Sequence, residues 1–318
     1  MSMFSKILFL ISSFFVFGKV VNANVVISPL SNETQLLQEL TKYKVYRNIC
    51  DKYIDRYAVI KNIEYYDFNG NLLSDGVMVI QDVLADSVVK IFNDLKQIKF
   101  PIAKIDPKMG RTIKPVKFFG FFGLNKVETN EEFADNFTGA FSCRNIEHTK
   151  RLSLHSLGTA IDINILQNPC IFIDNEKRKI INVVPKDGVM YLNRTIKRPN
   201  KPDGFGKVDD KIIAIFRKYG FDVWGGYWDY PIDYQHFQVS NRKFAELLIN
   251  ANKEDAKKIF NQHVECLQNN DKSLSEMADE NNIILEEQYN NDNSENKIVF
   301  FGIIKNICKK NENIKPLP

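Results

Sequence analysis

The sequence predicts an α+β fold. A hairpin is predicted over residues 57–80 and a separate alternating strand over 160–165, with amphipathic helices over 82–96 and near 212–219. Strand-like and helix-like segments do not alternate regularly along the chain, as they would in a doubly wound parallel sheet. The irregular order therefore favours an α+β architecture.

The hairpin comes first in the predicted domain. Residues 57–68 and 76–80 are predicted to be its strands and Asn69-Gly70 its turn, because Asn-Gly is a preferred hairpin turn. In the two helices, apolar residues recur at helical spacing. They are Leu84, Val88, Ile91, Phe92 and Leu95 in the first, and Ile212, Ile213, Phe216 and Tyr219, closed by Gly220, in the second.

The N-terminus resembles a secretory signal. Lys6 precedes a largely apolar run over residues 7–17, and Val21-Asn22-Ala23 offers a cleavage site. Residues 1–23 are therefore predicted to be a signal peptide of an exported, periplasmic or extracellular protein. The alternative is an uncleaved anchor, the one predicted contact with a membrane, but Lys19 interrupts its apolar run. Residues 24–56 are predicted to be an N-terminal helical extension, with a helix-like segment over 31–43.

The sequence changes character after residue 240. Residues 241–268 are predicted to be helical, whereas residues 269–297 are dominated by Asn, Asp, Glu, Lys and Ser, which is typical of a flexible linker. The apolar run 298–304 is too short to span a membrane. We expect it to be a strand or an interaction segment within a flexible tail, residues 269–318.

Composition and cysteine usage narrow the class of protein. The net charge of +4, from 43 basic and 39 acidic residues, is too small and dispersed to indicate a nucleic-acid partner. Five cysteines without a Cys-x-x-Cys pair predict one or two disulfides and at least one unpaired thiol in a monomer. Cys143 lacks a convincing His partner in the sequence and is predicted to be a small buried residue rather than a nucleophile.

Two segments carry candidate metal ligands. Residues 160–165 alternate, with isoleucines on one face and Asp162 on the other, and Gly158 provides a turn that can bring His155 beside Asp162. In the second segment, Asp233 and His236 are three residues apart and would point to opposite faces of a regular strand. They can share a site if Asp233 lies in the turn before a strand formed by residues 236–239.

Together these residues offer two imidazoles, one carboxylate ligand and a second carboxylate as a base. A catalytic zinc site requires such a set, with three protein ligands and a fourth position for water. The other two histidines, His148 and His263, lack such neighbours and are predicted to lie at the surface.

Three ordered motifs resemble those of the D-alanyl-D-alanine carboxypeptidase and L-alanyl-D-glutamate endopeptidase family of zinc peptidases. They are Ser-x-His-x-x-Gly-x-Ala-x-Asp at residues 153–162, Trp-Gly-Gly-x-Trp at 224–228 and Asp-x-x-His-Phe at 233–237. The resemblance spans roughly residues 57–240. It implies a small antiparallel sheet flanked by helices with zinc in the cleft, as in the Hedgehog and DD-peptidase architecture.

The resemblance also implies roles for individual residues. Zinc would be held by His155, Asp162 and His236, with Asp233 as general base. Arg144 would bind substrate and the developing oxyanion. Ser153 would orient the site. Trp224 fits the core better than a substrate wall. Many members carry Glu after His-Phe, whereas this chain has Gln238.

The implied substrates are peptidoglycan stem peptides. Carboxypeptidase and endopeptidase action use the same chemistry, so the motifs leave the scissile bond open. Two other classes stay open as well. One is a zinc-containing module that binds peptidoglycan without cleaving it, and the other is a structural envelope protein without a metal.

Overall fold

The computed structural model describes residues 25–29, 38, 48–107, 136–146, 149–174, 176–177, 179–194, 206–270, 272–290 and 294–309. The predicted signal peptide, most of the predicted 31–43 helix and His148 lie outside these ranges. Within them, no helix combines the length and apolar character needed to cross a membrane.

The predicted hairpin is confirmed. Strands β2 (Tyr57–Tyr66) and β3 (Leu72–Gln81) pair antiparallel. The Asp67 carboxylate stabilises the turn between them, because it accepts hydrogen bonds from the backbone N–H groups of Asn69 at 2.9 Å and Asn71 at 2.7 Å. Strand β1 (Val26–Pro29) pairs with the other edge of β2, so part of the predicted helical extension is a strand. A 3-10 helix (Asn48–Arg56) leads into β2.

Two predicted helices are also confirmed. Helix α1 (Ala85–Gln97) follows a 3-10 turn and buries Val88, Ile91, Phe92 and Leu95. Helix α2 (Asp210–Lys218) begins at an N-cap, Asp209, whose carboxylate accepts a hydrogen bond from the N–H of Ile212. It ends before Gly220, where φ is +97°. Both helices contribute their apolar faces to the main core, which also contains the inner residues of β2 and β3.

Two further small sheets position the candidate site. All strand pairs in the described part of the chain are antiparallel, in three three-stranded sheets rather than one. The second sheet has the order β4-β9-β7 and the third β6-β5-β8. Their strands are β4 (Ala160–Asp162), β5 (Cys170–Asp174), β6 (Lys179–Val184), β7 (Val223–Trp224), β8 (Ile232–Asp233) and β9 (His236–Gln238).

Strand β4 is shorter than its alternating sequence predicts. The pattern continues to residue 165, but Asn164 has a φ of +44°, which ends the extended conformation. Its side chain is fully buried and connects its own loop to two other segments, accepting a hydrogen bond from the N–H of Ala103 and donating to the carbonyl groups of Pro101 and Gly206. The polar residue of the pattern therefore stabilises loops instead of extending the strand.

The C-terminal region is helical. Helices α3 (Arg242–Asn250) and α4 (Lys253–Asn270) confirm the prediction for residues 241–268. The composition predicted a flexible linker over residues 269–297, but α5 (Leu274–Glu280) and α6 (Leu285–Gln288) lie there. A capping box of Ser273 and Glu276 starts α5. Three apolar residues of this mostly polar segment are buried in the main core: Leu274, Ala278 and Leu285.

The apolar run 298–304 belongs to helix α7 (Ser294–Ile307), so the strand alternative is wrong. Phe300 and Ile304 are buried in the main core, whereas Ile298 and Val299 are exposed. The apolar residues of this run are not spaced so as to mark one face of a helix. The burial of its inner face depends on residues far away in the chain.

His263 is also placed differently from its prediction. It is fully buried in α4 rather than exposed. Its Nε2 lies 3.0 Å from the carbonyl oxygen of Gly220 and 3.3 Å from Oδ1 of Asp222. The histidine therefore joins α4 to the loop before β7, which is a structural role.

Two disulfides are present, Cys50–Cys143 and Cys266–Cys308. Cys170 is free and buried. The prediction of one or two disulfides with a leftover thiol is confirmed. Cys143 is buried as predicted, and its disulfide joins the 3-10 helix before β2 to the segment that carries Arg144.

Replacing Phe300 with Ala tests whether α7 is an integral part of the fold. Its ring is fully buried and lies 5.3 Å from that of Tyr289. We expect Phe300→Ala to reduce the free energy of unfolding by about 3–5 kcal/mol. The matched control Ile298→Ala removes a side chain that is 74% exposed and should change it by less than about 0.5 kcal/mol. Urea unfolding measures both, and equal stabilities would contradict the packing of α7.

Candidate metal centre

A tight turn holds His155. The N–H of His155 donates to Oγ of Ser153 at 3.3 Å, and the N–H of Gly158 donates to the carbonyl of His155 at 3.2 Å. The turn is fixed to the end of β3 because Gln81 donates its N–H to the carbonyl of Gly158 at 3.0 Å. Ser153 therefore shapes the turn, and the sheet supports it.

Glycine is required at position 158. Its φ is +65°, and a Cβ there would lie 2.5 Å from the backbone N of Gln81. We expect Gly158→Ala to reduce the free energy of unfolding by about 2 kcal/mol. The control Gly302→Ala lies on helix α7 with no atom within 4 Å of the added Cβ, and should raise it by up to about 1 kcal/mol. Thermal unfolding of the two variants compares them, and equal shifts would refute the steric argument.

The register of β4 and β9 places the second and third candidate ligands side by side. Asp162 is the direct antiparallel partner of His236, and Ile161 is the partner of Phe237. Since side chains alternate across a strand, Asp162 and His236 share one face. Ile161 and Phe237 share the other, where both are fully buried in the core.

The three ligand atoms form a nearly equilateral triangle. Nε2 of His155 lies 3.2 Å from Nδ1 of His236 and 3.3 Å from Oδ1 of Asp162. Nδ1 of His236 lies 3.2 Å from the same carboxylate oxygen. The three residues are buried and placed to hold a metal ion.

The second nitrogen of each imidazole has a protein partner. Nδ1 of His155 lies 2.7 Å from the carbonyl oxygen of Ala140, which can only accept a hydrogen bond. Nε2 of His236 lies 3.0 Å from Oε1 of Gln238. A neutral imidazole carries one N–H, so these contacts leave the lone pairs of Nε2 of His155 and Nδ1 of His236 directed at the centre of the triangle.

Burial and neighbouring charges shift the pKa values of the two carboxyl groups in opposite directions. Burial opposes ionisation of Asp162, but its contacts with His155 and His236 outweigh this and hold its pKa far below the usual range. For Asp233, burial raises the pKa to about 7, and the negative charge of Asp162 adds to the effect. One carboxylate is thus held ionised, and the other has a pKa near neutrality.

Asp233 ends β8, and a two-residue turn separates it from His236 in β9. It lies before the strand that carries His236, as predicted, but in a strand of its own rather than in the turn. Its backbone pairs with that of Cys170 in β5. A Cβ on Gly225 would lie 3.0 Å from Cβ of Asp233 and 3.3 Å from Cβ of His236, so the glycine admits both side chains. Oδ1 of Asp233 is buried and has no hydrogen-bond partner in the part of the chain that the structure describes.

Arg144 is half-buried beside the cluster. Oγ of Ser156 holds its backbone in place by accepting the N–H of Arg144 at 2.8 Å, and lies 2.7 Å from the carbonyl of Ser142. Burial is the main cause that lowers the pKa of His155, and the positive charge of Arg144 contributes to it. Nε of Arg144 is buried without a hydrogen-bond partner among the described residues, so a donor remains for a bound group.

Trp224 belongs to the core, as the resemblance implied. Its side chain is buried, and its Nε1–H donates to the carbonyl of Tyr234 at 2.9 Å. The ring of Trp228 lies 5.2 Å from that of His236. The motif pattern did not assign a role to Trp228, Ser156 or Gln238, although all three lie inside or next to the motifs.

A buried cluster of two histidines and one aspartate, between small antiparallel sheets and helices, is typical of a mononuclear metalloenzyme that leaves one coordination position open. A family model described as D-alanyl-D-alanine carboxypeptidase matches residues 147–239. This match contains all three members of the cluster, and it agrees with the family that the motifs resemble. Neither a curated protein nor a solved structure matches the chain.

Proposed function

We propose that the protein is a zinc-dependent peptidase that hydrolyses peptide bonds in peptidoglycan stem peptides. The observation that carries the proposal is the triangle of two imidazole nitrogens and one carboxylate oxygen, with all three edges at 3.2–3.3 Å. The triangle lies within the segment that matches the peptidase family.

The dimensions of the triangle are compatible with zinc. Ligand atoms at about 2.0–2.1 Å from a tetrahedral zinc ion are about 3.3 Å apart, which agrees with the three edges. His155, Asp162 and His236 would hold the ion and leave its fourth position open. Bound zinc supplies Lewis-acid chemistry, in which it lowers the pKa of water and polarises a carbonyl group.

Asp233 is the proposed general base. It lies next to His236, and its buried Oδ1 has no hydrogen-bond partner among the described residues, so a lone pair is left for the proton of a water molecule that reaches the centre. During hydrolysis it takes the proton from the attacking water and passes it to the leaving amine. Both proton transfers use the same carboxylate, so no further acid is needed.

Arg144 is the proposed donor to the substrate carbonyl. Negative charge develops on this oxygen as the carbonyl carbon becomes tetrahedral, and a positively charged donor that is already in place stabilises it. Nε of Arg144 has no hydrogen-bond partner within the described ranges, and the bond from its backbone N–H to Ser156 holds the residue in place, which supports this role. A peptide with a terminal carboxylate also suits a guanidinium group.

The proposed location is outside the cytoplasm. Disulfides persist in oxidising compartments, and the structure contains two of them. Their presence supports the export that the N-terminal sequence predicts, and with it access to the bacterial cell wall.

The proposal is tested by incubating the zinc-loaded protein with purified muropeptides, followed by mass spectrometry and detection of new amines. Loss of a terminal D-alanine would identify a carboxypeptidase, and cleavage between L-alanine and D-glutamate an endopeptidase. The chelator-treated protein is the control and should regain activity when zinc is restored. If muropeptides bind but stay intact, the protein is the non-catalytic binding module.

A further inference from the structure

Gln238 lies directly against a candidate metal ligand. It follows His236 by two residues on β9, so both side chains are on the same face of the strand. Its Oε1 is 3.0 Å from Nε2 of His236. Both side chains are buried, which removes water as a competing partner.

The orientation of the Gln238 amide is fixed from its other end. Its Nε2 donates to the carbonyl oxygen of Ser240 at 2.6 Å. A flipped amide would place its oxygen against this carbonyl and its NH2 group against the imidazole. The carbonyl oxygen of Ser240 can only accept, so the amide oxygen must face His236.

Ser240 is itself held in place. It has a φ of +49°, and its N–H donates to Oδ1 of Asp222 at 2.7 Å. Its hydroxyl group contacts that of Ser275 in α5, which lies 3.1 Å from the hydroxyl of Ser273. The hydrogen bonds therefore run from the metal cluster through Gln238 and Ser240 to the N-terminus of α5.

We propose that Gln238 is a positioning residue that fixes the tautomer and the ring orientation of His236. An oxygen that can only accept requires the proton of the neutral imidazole to be on Nε2. Nδ1 then keeps its lone pair and faces Asp162 and His155. The inference rests on the proposed zinc site, and it assigns a role to the position at which the chain departs from the family pattern.

A neutral amide suits this position better than a carboxylate. Glutamate could accept from Nε2 of His236, but it has no proton to donate to the carbonyl of Ser240, and its charge would lie against that oxygen. Glutamine satisfies both neighbours. The side chain thus couples the ligand to the C-terminal helices without adding a buried charge.

The test compares Gln238→Leu, Gln238→Glu and the half-buried control Gln262→Leu, whose native side chain contacts Glu265 in α4. Zinc affinity is measured by competition with a chromophoric chelator. Leucine removes the acceptor at similar size, and we expect zinc affinity to fall by about 10- to 100-fold. Glutamate keeps the acceptor but loses the hydrogen bond to Ser240, so its affinity should fall by clearly less than that of the leucine variant. Gln262→Leu should leave the affinity unchanged.

Two results would overturn the proposal: wild-type zinc affinity in Gln238→Leu, or an equally large loss in Gln238→Glu. Rescue by Glu alone separates positioning from a general loss of packing, because both variants lose the bond to Ser240. The visible spectrum of the cobalt-substituted proteins gives a second readout, and it should change with Leu and be retained with Glu. Wild-type protein that binds zinc but cleaves no muropeptide would refute the proposed function and leave this test intact.

Discussion

Asp233→Asn is expected to abolish peptide hydrolysis and to leave zinc binding intact. The substitution keeps the size of the side chain and removes its ability to take a proton. General acid-base catalysis contributes about 10²- to 10⁴-fold to such reactions, and we expect kcat to fall by at least that factor. Asp233 is outside the triangle of ligand atoms, so the zinc content of the variant should equal that of the wild type.

The matched control is Asp229→Asn, which removes an exposed carboxylate four residues earlier in the chain. Its kcat on the same muropeptide should be that of the wild type. Zinc content by atomic emission and turnover by mass spectrometry are measured on the same preparations. Wild-type turnover in Asp233→Asn would exclude Asp233 as the base, and loss of its zinc would make it a ligand.

Asp162→Asn is expected to remove both zinc and activity. Asp162 supplies the one negatively charged ligand of the triangle, and its carboxylate lies between two buried imidazoles. An amide is neutral and a weaker ligand for a divalent cation, and its NH2 group would repel the ion if it faced the cluster. We expect zinc to fall from near stoichiometric to near zero after dialysis.

Asp174→Asn provides the comparison for this substitution. Asp174 ends β5 as Asp162 ends β4, but its carboxylate accepts hydrogen bonds from the backbone of residues 176 and 177. Zinc content should be unchanged in this variant. Stoichiometric zinc in dialysed Asp162→Asn would show that the ion binds elsewhere.

Local patterns were sufficient to predict the parts of the fold that depend on nearby residues. Asn69-Gly70 marked the hairpin turn, and the spacing of Leu84, Val88 and Leu95 marked α1. The alternation around Ile161 indicated which face carries Asp162. Each of these depends on backbone preference or on a single buried face.

Other features depend on contacts between distant residues, which composition cannot reveal. Residues 269–297 look like a linker because polar residues outnumber apolar ones, yet Leu274 and Leu285 reach the core. His263 looks exposed in sequence, but its partners lie about forty residues earlier. The capping box of Ser273 and Glu276 was a readable signal for α5.

The pairing of Asp162 with His236 has a consequence for the assembly of the centre. Neighbouring side chains of a strand point in opposite directions. If β4 paired with β9 one position out of register, the face of the site would present Ile161 in place of Asp162, or Phe237 in place of His236. The ion would then lose one of its three ligands, and the core would lose an apolar residue. Zinc stoichiometry would thus report whether the two strands have aligned correctly, and refolding could be followed by metal uptake.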